Sequence, residues 1–266
     1  MTQEKLDYGK PIPHREFPLN SVQYESDAKH DQLITLEQIS SYAENRIIYE
    51  PVYFNLGFAG SVSQCKFREG TADRLLKALD MLPQGYGFKI FDAWRTFELQ
   101  ITLYKAYKDM ILQNYTSRTD ITEEETDALV NKYVSIPEND PENPPVHTTG
   151  GAVDLTIIDM DTCQELNMGT SFDFFGEKAA SDYSERQDVF LKDRFCKDRC
   201  HKNVSCKERG RNLLDEKARS NRRMLYNVMT KAGFSNLPTA WWHYDYGNAY
   251  WAFSTGCKAI YKGIFK

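Results

Sequence analysis

Hydrophobic side chains recur along much of the chain at intervals of three or four residues, the spacing of a helix that buries one face. This spacing predicts amphipathic helices over residues 36–46, 71–82, 98–113 and 212–232. An acidic stretch predicts a further helix, on the surface, over residues 120–133. Helices therefore make up a large share of the predicted structure.

Other stretches alternate apolar and polar positions or are rich in β-branched residues, and both patterns favour strands. They predict strands over residues 47–54, 88–94, 152–158 and 241–246. Four prolines within residues 137–145 suit neither helix nor strand and predict a loop. Because these elements follow one another without a regular βαβ repeat, we predict an α+β fold with a small, mainly antiparallel sheet flanked by helices.

The sequence shows no internal repeat and no clear linker, so we predict one domain over residues 1–266. Within this domain, a basic and cysteine-rich segment at about residues 181–211 has the character of an insertion.

Charge and hydropathy exclude several classes of protein. The formal charge of −5, from 33 Lys and Arg against 38 Asp and Glu, gives nucleic acid no reason to bind the whole molecule. No apolar run approaches the roughly 18 residues that a membrane-spanning helix needs, so we predict no membrane partner. The first thirty residues are charged where a secretory signal would be apolar. This favours the cytoplasm, whereas a chain whose leader had been removed would be periplasmic or secreted.

Two of the five histidines lie in sequence settings that suit a metal site. His147 precedes a glycine pair and a β-branched stretch that contains Asp154, so a turn leading into a strand would bring imidazole and carboxylate together. His243 lies among aromatic residues that would orient its ring. Two imidazoles and one carboxylate form a common catalytic zinc site with a fourth position open for water. A purely structural interpretation also exists: His147 caps a turn, Asp154 pairs with Arg95, and His243 is a core histidine.

Five motifs carry a resemblance to a known family, and they are Phe91-Asp-Ala-Trp-Arg95, His147-Thr-Thr-Gly-Gly-Ala-Val-Asp-Leu155, Met168-Gly-Thr-Ser-Phe-Asp173, Asn221-Arg-Arg-Met-Leu225 and Trp241-Trp-His-Tyr244. In this order they resemble the zinc-dependent D-alanyl-D-alanine dipeptidases of the vancomycin-resistance type. The resemblance extends over about residues 49–246. Any one motif alone would be a weak signal, whereas five in order are specific.

The resemblance implies a role for each matching residue. His147, Asp154 and His243 match the family's three zinc ligands. Arg95 matches the arginine that stabilises the oxyanion of the tetrahedral intermediate, and Asp173 matches the aspartate that binds the amino group of the dipeptide. The implied activity is hydrolysis of a small dipeptide, D-Ala-D-Ala or another with a C-terminal D-residue, with one catalytic Zn²⁺. Structural interpretations remain open for two of them: an ion pair for Arg95, and a helix cap or turn for Asp173.

The chain departs from the family's pattern at the position of the general base. The family has a glutamate three residues before its last zinc ligand, and here that position is Ala240. A methyl group accepts no proton, and the loss of a positioned base costs about 10²- to 10⁴-fold in rate. An engineered Glu-to-Ala substitution, a natural pseudoenzyme or another acid in the same role would each explain the change. Because the metal ligands are intact, we favour an inactivated Glu-to-Ala variant of an active peptidase.

A second departure is Pro145, where the family often has a serine that helps to bind the substrate amine. Proline has no hydroxyl group and offers only its carbonyl oxygen. We therefore expect the amino end of the substrate pocket to differ, which weakens the implied preference for D-Ala-D-Ala itself.

The insertion-like segment contains Cys196, Cys200, His201 and Cys206, which could bind a second, structural zinc ion. Their spacing fits no standard zinc finger, and we favour free thiols or a disulfide. Two other functions also remain open: a muropeptide carboxypeptidase of the same group and a non-catalytic zinc-containing binding module. Asp173 argues against the carboxypeptidase, because a buried acid would lie unpaired against a longer peptide chain.

Overall fold

The computed structural model of the chain describes residues 6–16, 32–115, 122–140, 143–186 and 206–265. Its helices are α1 (Leu36–Ile39), α2 (Val52–Asn55), α3 (Glu69–Met81), α4 (Phe97–Tyr115), α5 (Glu123–Val130), α6 (Cys206–Ala232) and α7 (Ala249–Thr255). None of the helices in these residues is long and apolar enough to cross a membrane.

A five-stranded sheet carries the central part of the fold. Its strands, in spatial order, are β2 (Ile47–Tyr49), β4 (Tyr86–Asp92), β5 (Ala152–Asp159), β7 (His243–Asp245) and β6 (Ser235–Asn236). Strand β2 runs parallel to β4, and the other neighbouring pairs are antiparallel. A separate antiparallel pair consists of β1 (Leu33–Thr35) and β3 (Lys66–Arg68). The prediction of an α+β fold with a mainly antiparallel sheet is therefore confirmed.

The main hydrophobic core lies between this sheet and helices α3 and α6, which contact each other. From β5 it receives Val153, Leu155 and Ile157, all fully buried. Each such aliphatic side chain stabilises the fold by about 1.5–3 kcal/mol on burial. Successive side chains of a strand point to opposite faces, so Asp154 lies on the face of β5 away from these three residues. The core thus fixes the strand that carries a predicted ligand.

Most predicted elements are confirmed to within a few residues. The helices predicted over residues 71–82 and 98–113 are α3 and α4, and the acidic helix is the shorter α5. Helix α6 begins at Cys206, six residues before the predicted start of its segment. The strands predicted over residues 88–94, 152–158 and 241–246 are β4, β5 and β7.

Two predicted boundaries are wrong. Helix α1 ends at Ile39, and the chain could not have stayed helical to residue 46, because Glu44 and Asn45 have left-handed backbone angles (φ 50° and 57°). The strand predicted over residues 47–54 ends at Tyr49, because Pro51 interrupts it and directly precedes α2.

The cysteine-rich segment lies largely outside the described residues. Cys196, Cys200 and His201 all belong to residues 187–205, which the structure does not describe, and Cys206 is the first residue of α6. The second zinc site and its alternatives therefore stay predictions, as does the single domain.

Candidate active site

Three neighbouring strands bring acidic and imidazole side chains into one row. Asp154 of β5 lies directly opposite His243 of β7 and, on its other side, opposite Asp92 of β4. Directly opposed residues of antiparallel strands point to the same face, with their Cβ atoms about 4.5–5.5 Å apart. Asp154 Oδ1 accordingly lies 2.8 Å from His243 Nδ1. Strand pairing therefore makes neighbours of two predicted ligands that are 89 positions apart in sequence.

His147 reaches the same point from a 3₁₀ turn, Val146–Thr149, that leads into β5. The turn ends at Gly150, whose φ of 76° is a left-handed conformation that glycine adopts without a Cβ clash. His147 Nε2 lies 3.4 Å from Asp154 Oδ2 and 3.2 Å from His243 Nδ1. The turn at the glycine pair that the sequence predicts thus brings His147 to the other two side chains.

These three side chains could hold one metal ion. One ligand atom from each of His147, Asp154 and His243 lies within 4.8 Å of the others, and all three residues are buried. Each imidazole is also fixed through its second nitrogen. His147 Nδ1 donates to the carbonyl oxygen of Ala93 at 2.7 Å, and His243 Nε2 donates to Asp245 Oδ1 at 3.1 Å. With those protons assigned, the nitrogens that face Asp154 carry lone pairs, as metal ligation requires.

The surrounding carboxylates make this point attractive to positive charge. Burial lowers the pKa of His243, but the carboxylates of Asp245 and Asp154 outweigh burial and raise it to about 10. Burial raises the pKa of Asp154, and the two neighbouring histidines more than offset this, so that it lies well below the usual range. Positive charge at this point is therefore favoured, whether protons or a cation carry it.

Arg95 follows β4, and buried side chains hold its guanidinium. Its Nε and Nη2 both donate to Asp92 Oδ2, at 2.9 and 2.6 Å, and its Nη1 donates to Gln100 Oε1 at 2.9 Å. The guanidinium carbon also lies 5.4 Å from the ring centre of Tyr53. The ion-pair partner of Arg95 is therefore Asp92, and not Asp154 as the structural interpretation of the sequence would have it. A guanidinium held in this way is preorganised at the wall of a cleft that Tyr53 and His147 also line.

This cleft, beside the side chains of His147, Asp154 and His243, has about 480 Å³ of atom-free space, part of it open to solvent. Its wall includes Tyr53, Arg95, Tyr107, His147, Asp173 and His243. The sequence-predicted metal ligands, oxyanion residue and amine-binding residue are thus brought to one place, and Asp154 contacts both histidines.

Asp173 lies in that cleft on a turn, with a φ of 57°. Its Oδ2 accepts hydrogen bonds from the hydroxyl groups of Tyr53, at 2.8 Å, and Tyr107, at 2.6 Å. Burial raises the pKa of Asp173 to about 6, although the two tyrosine hydrogen bonds act in the opposite direction. Oδ1 takes part in neither bond, so the carboxylate has an oxygen that can face a ligand.

Ala240 lies in the turn that joins β6 to β7, with an exposed fraction of 3%. Its N–H donates to the Leu237 carbonyl at 3.1 Å, and its own carbonyl accepts from the His243 N–H at 3.1 Å. Among the described residues that line the cleft, Asp173 carries the one carboxyl group. Asp245 lies against His243 Nε2, on the side of the ring opposite Nδ1. Asp245 therefore lies away from the nitrogen that faces Asp154 and His147.

Sequence reasoning missed five side chains that shape this site. Asp92 and Gln100 hold Arg95, Tyr53 and Tyr107 bind Asp173, and Asp245 contacts His243. Asp92 could have been found, because it stands inside the motif that ends at Arg95. Asp245 could also have been found, because residues two apart on a strand share a face. The other three come from helices α2 and α4, and their roles depend on tertiary packing.

A family model described as D-ala-D-ala dipeptidase matches residues 68–189, a segment that includes Arg95, His147, Asp154 and Asp173 but ends before Ala240. A D-alanyl-D-alanine dipeptidase of Synechocystis sp. is 26% identical over 192 residues, 70% of this chain and 70% of the relative. A D-alanyl-D-alanine dipeptidase of Enterococcus faecium is 25% identical over 189 residues, 68% of this chain and 76% of the relative.

Proposed function

We propose that the chain is a member of the D-Ala-D-Ala dipeptidase family of peptidases and that it binds a small dipeptide at a zinc ion held by His147, Asp154 and His243. The dipeptide is D-Ala-D-Ala or a relative with a D-residue at its carboxyl end. The observation that carries the proposal is the convergence of a buried ligand set, Arg95 and Asp173 on one cleft.

The ligand set suits zinc by its chemistry. Two neutral imidazoles and one carboxylate leave a fourth position open in a catalytic site, and the second hydrogen bond of each imidazole fixes its orientation. When bound, zinc polarises a carbonyl group and lowers the pKa of a water ligand to about 7. The remaining chemistry falls to side chains of the protein.

Asp173 would bind the ammonium group of the substrate. Tyr53 and Tyr107 hold one carboxylate oxygen, and the other remains available to accept a charge-assisted hydrogen bond. A longer peptide has an uncharged amide in place of this ammonium, so it would leave the Asp173 carboxylate without its counter-charge. This supports a dipeptide rather than a muropeptide as the substrate.

Arg95 would stabilise the negative charge that develops on the scissile carbonyl oxygen. Its hydrogen bonds to Asp92 and Gln100 fix the guanidinium before substrate binds, so no reorganisation is needed during the reaction. The electrostatic contribution of such a preorganised donor is typically about 3–4 kcal/mol of transition-state stabilisation.

Because residue 240 is alanine, the proton-transfer step lacks the general base of the family. Hydrolysis requires a base that takes a proton from water and passes it to the leaving amine as the C–N bond breaks. A glutamate at position 240 would do this, and alanine cannot. We therefore propose that this chain is an inactivated Glu-to-Ala variant of an active peptidase, which binds its dipeptide and turns it over poorly.

The test is to restore the carboxylate with Ala240→Glu and to assay the zinc-loaded protein against D-Ala-D-Ala, L-Ala-L-Ala and a longer peptide. We expect D-Ala-D-Ala hydrolysis to rise by about 10²- to 10⁴-fold over the unchanged chain. Ala240→Gln is the matched control, because it has the size of Glu without its basicity and should stay inactive. Zinc-loaded Ala240→Glu protein that hydrolyses no dipeptide would falsify the proposal and favour a non-catalytic binding module.

A further inference from the structure

Asp245 contacts a predicted metal ligand but is not among the residues that line the cleft. Its Oδ1 accepts from His243 Nε2 at 3.1 Å and from Asn248 Nδ2 at 2.6 Å. The residue is completely buried. Asp245 Oδ2 has no hydrogen-bond partner within the part of the chain that the structure describes. A buried carboxylate with one unpaired oxygen reduces the stability of the fold, so its presence calls for a functional explanation.

The fold holds this carboxylate in a fixed place. Asp245 and His243 are alternate residues of β7 and share one face of the sheet. Across the ladder Asp245 lies opposite Ala152, whose small side chain leaves room for the carboxylate. Asn248 is the N-cap of α7, and its Oδ1 accepts from the Trp251 N–H at 3.0 Å. One end of the Asn248 amide is therefore tied to a helix while the other end holds Asp245.

We propose that Asp245 is a positioning residue, which fixes the ring of His243 with its proton on Nε2 and its lone pair on Nδ1. A carboxylate can only accept here, so the nitrogen that faces it must carry the proton. Nδ1 is then the nitrogen that faces Asp154 and His147. His147 has the opposite arrangement, because a backbone carbonyl holds its Nδ1 proton. This inference rests on the proposed zinc site and adds to it the residue that orients His243.

The geometry also argues that Asp245 does not replace the missing base. The imidazole of His243 stands between the Asp245 carboxylate and the ligand nitrogens, because Asp245 binds the far ring nitrogen. Asp245 therefore acts through His243 and not on the substrate. Its effect should appear in metal affinity and in ligand geometry, whether or not position 240 carries a base.

The experiment measures zinc affinity of the full chain by competition with a chromophoric chelator. We expect Asp245→Ala to weaken zinc binding by about 10- to 100-fold, the usual cost of losing an outer hydrogen-bond partner of a ligand. Asp245→Asn retains an oxygen acceptor without charge and should rescue part of the loss, and Asn248→Ala should fall between wild type and Asp245→Ala. Ser235→Ala is the matched control, because Ser235 lies opposite Asp245 in the ladder and contacts no ligand.

A second readout separates positioning from a merely structural role. Cobalt(II) bound in place of zinc should show an altered visible absorption spectrum in the Asp245 variants and an unchanged one in Ser235→Ala. If Asp245→Ala does not fold, zinc affinity and the cobalt spectrum are measured on the Asp245→Asn and Asn248→Ala proteins. If these variants bind zinc as tightly as the unchanged chain and show an unchanged cobalt spectrum, the inference about Asp245 is overturned. The proposed function is not affected by that result. Failure of the unchanged chain to bind zinc would overturn the proposed function as well.

Discussion

His147 and His243 meet edge to face, with ring centroids 4.9 Å apart and ring planes at 71°, although 96 positions separate them in sequence. Two imidazoles this close repel each other when both are protonated. Asp154 lies beside both rings, and a divalent cation at their ligand atoms would remove the repulsion. The pair therefore makes metal binding and folding stability dependent on each other.

Zinc should accordingly stabilise the protein against thermal unfolding. At a free zinc concentration 100 times the dissociation constant, a ligand that binds only the folded state adds about 2.7 kcal/mol. We expect a chelator to abolish this gain and Asp154→Asn to remove most of it. The measurement is the thermal midpoint with and without zinc, and Asp80→Asn, at an exposed position of α3, is the control. Equal zinc stabilisation of Asp154→Asn and wild type would contradict the assignment of Asp154 as a ligand.

Asp173→Asn should stabilise the fold while it weakens dipeptide binding. The folded-state pKa of Asp173, about 6, lies above the usual 3.8, so ionisation of this carboxyl group destabilises the folded state. That cost is fully present above pH 6 and is lost as the pH falls from 6 through 3.8, below which the group is protonated in both states. Asparagine also tolerates the left-handed backbone at this position.

We expect Asp173→Asn to gain about 1 kcal/mol at pH 7, a value reduced for solvent screening because the residue is only half-buried. The gain, measured by urea unfolding, should shrink as the pH falls below 6 and vanish below about pH 3. Dipeptide affinity of the unchanged chain should fall as the pH drops through about 6, whereas the variant should bind weakly at every pH. A variant that binds the dipeptide as tightly as wild type would remove Asp173 from the substrate site.

Much of the site could be predicted because its residues lie in short motifs whose local structure the sequence determines. The glycine pair after His147 requires a turn, and the β-branched stretch after it requires a strand, so His147 and Asp154 come together locally. His243 joins them through the register of β5 and β7, a long-range pairing that no local pattern contains. Its place in the site came from the resemblance of its motif.

Residues that support the site were harder to predict, because their roles arise from packing. Gln100 and Tyr107 look like ordinary positions of helix α4, and their contacts with Arg95 and Asp173 depend on where that helix lies against the cleft. The segment after β2 was also hard to predict from the sequence. Its alternating apolar pattern continues beyond Tyr49, but one proline turns the chain into α2, and this helix carries Tyr53 into the cleft.

Pro145→Ser should restore part of the amine-binding pocket of the family. The carbonyl of Pro145 accepts from the Thr148 N–H at 3.0 Å, and serine keeps this bond at the same backbone angles. A new hydroxyl hydrogen bond to the substrate ammonium would raise dipeptide affinity by up to about tenfold. Loss of proline should lower stability by about 0.4–1 kcal/mol through the unfolded state.

Calorimetry of D-Ala-D-Ala binding to the zinc-loaded chain checks this expectation without interference from turnover. Pro144→Ser is the control, because it makes the same change one residue earlier and should affect stability alone. If both serine variants bind the dipeptide equally, position 145 does not face the substrate amine.

Gly151→Ala should disrupt the site through the backbone, although Gly151 is not itself a proposed metal ligand. A Cβ at Gly151 would lie 2.3 Å from the carbonyl oxygen of Tyr246, a backbone atom that cannot move unless β5 and β7 separate. The Tyr246 N–H donates to the Gly151 carbonyl at 2.7 Å in the same ladder that pairs Asp154 with His243. We expect a loss of more than about 2 kcal/mol in the free energy of unfolding, together with weaker zinc binding.

Urea unfolding and chelator competition measure the two effects, and Gly9→Ala, with its nearest atom at 3.4 Å, should change neither. A Gly151→Ala protein as stable as wild type would mean that the strands do not approach each other as closely as the structure has them.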